Sequence, residues 1–169
     1  MTPVAAIAVR SRCAFWKEAC PPAPRLVRAA ARRALRRGAA ALGLALPARV
    51  ELGVSLADDA CQQRLSRDYR GRDMPTNVLA FRAWAPGETL ASDAPLLLGD
   101  VVLALETVTR EAEEQGKPLV DHLSHLTVHG VLHLLGYDHQ APDDAQMMEA
   151  LETSILASLG VPDPYRDVP

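Results

Sequence analysis

Apolar and polar residues alternate along the chain with two different periods. Between Val50 and Leu56 every second residue is apolar, which is the period of a strand with one buried face. Shorter apolar runs predict three further strands, at residues 3–9, 77–81 and 96–105, the last of them interrupted by Gly99 and Asp100.

Helical periodicity marks the other predicted elements. Asp58 suits an N-cap, so a helix is expected to begin there and to lead into a turn over residues 69–77. Further helices are predicted at residues 22–42, 106–115, 118–135 and 142–159. Since strands dominate the first two thirds and helices the last part, we predict an α+β fold. It would be a single domain over residues 1–169, with a small mixed sheet of about four strands covered by about five helices around a central histidine helix.

Composition narrows the class of protein. The chain has 169 residues, of which 49% are hydrophobic, and this suffices for one domain with a sizeable core. Cys13, Cys20 and Cys61 are widely spaced, so neither a disulfide framework nor a thiolate zinc site is expected, and a reducing cytoplasm fits. The first apolar run is too short to span a bilayer and follows no basic segment, so we expect no signal peptide and no membrane partner.

The net charge of −3 conceals a strong asymmetry. Residues 1–85 hold 15 Lys and Arg against 6 Asp and Glu, whereas residues 86–169 hold 3 against 15. Part of the basic excess forms a stripe on the first predicted helix, consisting of Arg25, Arg28, Arg32 and Arg36. Such a stripe can follow nucleic-acid phosphates, since each neutralised phosphate releases counterions and adds affinity. A solvated helix face has the same pattern, and both interpretations stay open.

Three histidines near the end of the fourth predicted helix have the spacing of a metal site. His129 and His133 lie one helical turn apart, within reach of a shared ion. Gly136 suits a left-handed C-cap that ends the helix and turns the chain back, which can deliver His139. Three nitrogen ligands with an open fourth position indicate a catalytic rather than a structural zinc site, with one ion per chain. Zinc is a preference of geometry, because histidine sites accept several first-row metals.

Other interpretations of the histidines remain open at this point. Two histidines four apart can also be core residues satisfied by backbone or carboxylate partners. His125 with His129 is an alternative ligand pair, although the turn after Gly136 favours His129 with His133. His122 and His125 would then be groups that support the ligands, substrate contacts or ordinary surface residues.

A zinc peptidase is the first competing enzyme class. Its His-Glu-x-x-His motif places a general base directly after the first ligand. That position is Gly130 in this chain, and the basic first half has no evident purpose in a peptidase. We therefore favour a hydrolytic centre of another kind.

Several motifs together resemble those of the YbeY family of ribosomal RNA maturation endoribonucleases. They are Tyr69-Arg70-x-Arg72-Asp73-x-Pro75-Thr76-Asn77-Val78-Leu79, Gly99-Asp100-Val101-Val102, the histidine run 125–139, Met148-Glu149-x-Leu151-Glu152 and Asp163-Pro164-Tyr165. The N-terminal strand and the arginine helix match only in kind. One departure is Ala80, where the family usually has Ser before Phe81, so a hydroxyl contact is missing there.

The resemblance implies an α+β metalloprotein that cleaves single-stranded RNA during maturation of the 3′ end of small-subunit ribosomal RNA and in ribosome quality control. It implies His129, His133 and His139 as ligands of a mostly zinc-bound site, with the small ribosomal subunit and its assembly proteins as partners. Arg70 would be the basic active-site residue, because a guanidinium can clamp two phosphate oxygens. A structural pairing of Arg70 with a nearby carboxylate is the alternative.

Two further points stay open from the sequence. A non-catalytic ribosome-assembly factor, in which the metal only locks the histidine helix to the turn, has the same motifs. Asp138 either orients an imidazole or caps the turn before His139.

Overall fold

A four-stranded mixed sheet organises the chain. The computed structural model describes residues 2–70, 76–90 and 93–166. Its strands are β1 (Val4–Ser11), β2 (Arg49–Ala57), β3 (Val78–Arg82) and β4 (Leu96–Ala104). They lie in the order β1-β2-β4-β3, with β1 and β4 both parallel to β2. Because β3 pairs only with β4, in the antiparallel sense, it forms one edge of the described sheet.

The described residues form six helices. They are α1 (Trp16–Ala19), α2 (Ala23–Ala41), α3 (Asp59–Arg70), α4 (Leu105–Glu114), α5 (Leu119–Leu134) and α6 (Pro142–Ser158). The predicted α+β class is confirmed, and α1 is the helix that the sequence did not predict. In the described part of the chain, no helix is long and apolar enough to cross a membrane.

The core lies between one face of the sheet and helices α2 and α5. The apolar positions of β2 are buried, as their period of two predicts, and Val50 and Leu56 are fully excluded from solvent. On α2, Ala30 and Ala34 face the core, and these small side chains allow α5 to approach closely. Burying each large aliphatic side chain contributes about 1.5–3 kcal/mol, so this packing fixes the histidine helix at the centre of the molecule.

Strand β4 differs from its predicted form. It runs without a break from Leu96 to Ala104, and the expected interruption is instead a bulge in its pairing with β2. Gly99 has φ +138°, and a Cβ there would lie 2.1 Å from the carbonyl oxygen of Phe81. Only glycine fits that approach, so Gly99 lets β4 pass close to β3 beside the bulge.

Candidate metal centre

The structure brings His129, His133 and His139 together. One ring nitrogen from each lies within 4.8 Å of those of the other two, and the Nε2 atoms of His129 and His133 are 3.0 Å apart. Among the described residues this is the one group of three or more such side chains that could hold a metal ion. His129 and His133 project from α5 one turn apart, whereas His139 follows the helix.

The turn after α5 explains how His139 reaches the other two. Gly136 has φ +104°, its N–H donates to the His133 carbonyl (3.0 Å), and the Tyr137 N–H donates to the Leu132 carbonyl (3.0 Å). These two bonds form a Schellman motif, which ends the helix and reverses the chain. The Asp138 carboxylate accepts from the His139 N–H at 2.7 Å, so of its two predicted roles the structure supports the cap of the turn.

A buried carboxylate orients His129. Its Nδ1 lies 2.5 Å from an oxygen of Glu152, a residue of α6 that is 0% exposed. Burial alone raises the pKa of Glu152, but hydrogen bonds from His125, His129 and Tyr165 outweigh burial and hold the pKa at about 2. The carboxylate is therefore ionised and accepts the Nδ1–H of His129, so the lone pair of the neutral imidazole lies on Nε2, the nitrogen that can bind a metal ion.

A backbone carbonyl orients His133 in the same sense. Its Nδ1 donates to the carbonyl oxygen of Tyr137 at 2.9 Å, because a carbonyl can only accept. Burial, together with the neighbouring His129, lowers the pKa of His133 to about 4, so this imidazole is neutral at physiological pH. Two Nε2 lone pairs thus face each other, an arrangement that repels unless a cation lies between them. The donor set fits a divalent metal ion.

His122 and His125 lie further along the same helix and have carboxylate partners. His122 is 3% exposed, and its Nε2 is 2.8 Å from Glu111, which also accepts from the Asn77 amide at 3.0 Å. Burial lowers the pKa of His122 against the opposing effect of Glu111. His125 donates to Glu152 at 3.1 Å. Both are structural partners of acidic residues, and the interpretation as ordinary surface residues is wrong for buried His122.

An open cavity of about 720 Å³ borders the histidines. Edge strand β3 forms one wall through Val78, Ala80 and Arg82, and the turn after α5 forms another. At Gly130 a Cβ would lie 2.8 Å from a methyl of Val101, so this position packs against the sheet. A glutamate cannot be accommodated there without displacing α5, which counts against a peptidase of the His-Glu-x-x-His type.

The predicted RNA-contacting arginines belong to helices α2 and α3. Arg70 is the last residue of α3, and its side chain and residues 71–75 lie outside the described part of the structure. On α2 the stripe faces away from the core, with Arg25, Arg32 and Arg36 exposed and Arg28 half-buried. The stripe therefore remains accessible to a ligand.

The sequence predicted no role for the two carboxylates that support the histidines, Glu152 and Glu111, although Glu152 lies in one of the family motifs. Glu152 lies 23 residues from His129, and Glu111 lies 11 residues from His122. One signal was available, because Glu152 stands on α6 between the buried residues Met148 and Ile155. A carboxylate at a position that should be apolar needs a buried partner.

Comparisons with known proteins show which family the chain resembles. A family profile described as "Endoribonuclease YbeY" matches residues 23–160. An "Endoribonuclease YbeY" of Paramagnetospirillum magneticum is 53% identical over 98% of both chains, and one of Alkalilimnicola ehrlichii is 52% identical over 89% of this chain and 86% of its own. A solution structure of TM1509 from Thermotoga maritima, 18% identical, shares the fold with a TM-score of 0.50 over 95% of this chain and 99% of that one. By profile and by identity, the chain belongs to the YbeY endoribonuclease family.

Proposed function

We propose that the protein is a metal-dependent endoribonuclease specific for single-stranded RNA. It would act in maturation of the 3′ end of small-subunit ribosomal RNA and in ribosome quality control. The observation that carries the proposal is the pair of Nε2 atoms of His129 and His133, 3.0 Å apart, with His139 beside them and a cavity of about 720 Å³ in front. The relatives' name, endoribonuclease, supports RNA as the substrate.

His129, His133 and His139 would hold one zinc ion, since three imidazoles with an open position match the catalytic zinc pattern. When bound, zinc supplies a Lewis acid that polarises a phosphoryl oxygen and makes a water molecule acidic near neutral pH. The protein's own contribution is to fix the orientation of the ligands through hydrogen bonds at Nδ1. Glu152 does so for His129, and the Tyr137 carbonyl does so for His133.

Arg70 is proposed to bind the phosphate of the scissile bond. It ends α3, and Thr76, six residues later, lines the cavity. Six residues span at most about 20 Å, so the cavity lies near the end of α3. Buried Gln62 of α3 accepts from the Thr76 N–H at 2.8 Å and donates to the Val102 carbonyl at 3.0 Å, which ties this part of the chain to the sheet. A guanidinium held there would stabilise the charge that develops on the phosphoryl oxygens.

The stripe of Arg25, Arg28, Arg32 and Arg36 is proposed to bind RNA phosphates away from the cleavage site. Its neighbour Arg37 has a different task, because its guanidinium donates to the carbonyl and hydroxyl of Ser154 and joins α2 to α6. The four stripe residues form no hydrogen bond of this kind within the described structure, which suits a role in binding a ligand.

The cellular setting is proposed from the family. Residues 1–169 would work as one domain in the cytoplasm, with the small ribosomal subunit and its assembly proteins as partners. Three widely spaced cysteines outside any Cys-x2-Cys pattern suit a reducing compartment.

Cleavage of a labelled single-stranded fragment from the 3′ region of small-subunit ribosomal RNA tests the proposal. Wild type, His133→Ala and His139→Ala are compared, with metal content measured on each and a duplex of the same sequence as substrate control. His139 is exposed, so its replacement leaves the core intact. We expect cleavage of the single strand by wild type, and loss of both metal and cleavage in each variant with unchanged helical content.

Two results would contradict the proposal. A metal-loaded wild type that cleaves no RNA would favour the assembly-factor interpretation. Full cleavage by metal-free protein in the presence of a chelator would show that the metal takes no part in the reaction.

A further inference from the structure

The C-terminal segment, residues 161–166, lies against the back of the candidate metal centre. The hydroxyl of Tyr165 donates to Oε2 of Glu152 and lies 3.3 Å from Nε2 of His125. The other oxygen of the same carboxylate, Oε1, accepts from His129. A cavity of about 200 Å³, lined by Tyr165 together with His129 and His139, places the phenol beside two of the three ligands.

We propose that Tyr165 is a positioning residue for the metal centre. Its hydroxyl holds the buried carboxylate of Glu152 in the orientation that accepts from His129, so the docked C-terminal segment sets how tightly the protein retains its metal. This inference rests on the metal centre of the proposed function, and it concerns metal retention rather than RNA cleavage.

Glu152 is 0% exposed, so its oxygens need hydrogen-bond donors from within the fold. Oε1 has one donor, His129, whereas Oε2 is shared by His125 and Tyr165. Without the phenol, Oε2 keeps a single donor at 3.1 Å, and the carboxylate is free to rotate toward it and away from His129. Partners of this kind typically change metal affinity by about 10–100-fold.

The segment has anchors that do not involve the phenol. The Asp163 carboxylate accepts from the Tyr165 N–H at 2.9 Å and from the Thr153 hydroxyl at 3.3 Å. Lys117, at the start of the α5 region, donates to the Pro164 carbonyl at 2.6 Å. Tyr165→Phe therefore removes the hydroxyl and leaves the segment docked. Lys117→Met does the opposite, because it weakens an anchor and keeps the hydroxyl.

The experiment measures metal retention on the full chain. Zinc affinity is determined by competition with a chromophoric chelator, and the ligand field is read from the visible absorption of the cobalt(II)-substituted protein. For Tyr165→Phe we expect zinc affinity about 10-fold weaker and an altered cobalt spectrum. For Lys117→Met we expect a faster release of zinc. Tyr69→Phe, which removes a phenol on α3 that is 71% exposed, is the matched control and should equal wild type.

The outcomes separate this inference from the proposed function. If wild type binds one zinc ion and Tyr165→Phe binds it equally well with the same cobalt spectrum, the positioning role is wrong, while the proposed function stands. A purely structural role would lower the urea stability of metal-free Tyr165→Phe and leave zinc affinity unchanged, which also overturns the inference. If wild type binds no zinc, both proposals fail. Unchanged zinc release in Lys117→Met would overturn the role of segment docking.

Discussion

Replacing Gly130 by alanine tests the fit between the histidine helix and the sheet. Gly130 lies on α5 between two core-facing turns, and a Cβ built there would be 2.8 Å and 3.2 Å from the two methyls of Val101 and 3.2 Å from a methyl of Val78. Carbon atoms normally pack about 3.5–4.0 Å apart, so α5 and the sheet must move apart by nearly 1 Å to accept the methyl group. Val101 is 0% exposed and β-branched, which prevents it from rotating away.

Two opposing effects determine the sign of the change in stability. Alanine is favoured over glycine inside a helix by about 1 kcal/mol. Overpacking a filled core costs about 1–3 kcal/mol, and the stiffness of Val101 places this site in the upper part of that range. We therefore expect Gly130→Ala to lower the free energy of unfolding by about 1–2 kcal/mol. The helix must also move away from the sheet, so His129 shifts and zinc affinity falls.

Urea unfolding of metal-free protein measures the effect without a contribution from metal release. The double variant Gly130→Ala with Val101→Ala provides the control, because truncating Val101 makes room for the new methyl. The two changes should couple favourably by at least about 0.5 kcal/mol, as expected for residues in contact. If Gly130→Ala is more stable than wild type, or if the two changes are additive, the steric argument is wrong.

Three further predictions concern the proposed site. Arg70→Ala should keep its metal and cleave RNA about 10²–10³-fold more slowly, the usual effect of losing one stabilising donor, and unchanged turnover would refute the phosphate clamp. Replacing Arg28, Arg32 and Arg36 by glutamine should weaken RNA binding and reduce the slope of log K against log salt concentration by about 2–3 in magnitude. If titrations at several salt concentrations give an unaltered slope, the stripe is only a solvated helix face. Glu152→Gln should weaken zinc binding by about 10–100-fold in a chelator competition, and wild-type affinity would exclude the carboxylate from the site.

Local signals in the sequence predicted where several of the helices around the site begin and end. The Asp58 carboxylate accepts from the Cys61 N–H at 2.7 Å, which is the expected N-cap of α3. Gly136 adopts the left-handed conformation that was expected to end α5. Both features depend on residues within five positions of each other, so their physical cause is contained in the local sequence.

The remaining features depend on contacts between distant segments. Helix α1 has four residues, too few for a periodic pattern, and it forms around Trp16, whose buried indole donates to the Ala57 carbonyl at 2.8 Å. The support of His129 by Glu152, and of Glu152 by Tyr165, joins three segments that only tertiary packing brings together. Periodicity within one segment carries no information about such pairs.

The two helical ligands are held by groups of different chemical origin, and this has a genetic consequence. His133 is oriented by the main-chain carbonyl of Tyr137, so this bond depends on the backbone turn at Gly136. His129 depends on the side chain of Glu152, which a single codon change can abolish. In a mutagenised gene, inactivating changes that act through His129 should therefore concentrate at Glu152, and those that act through His133 at Gly136. One ligand is thus sensitive to the chemistry of a side chain, and the other to the backbone conformation of a glycine.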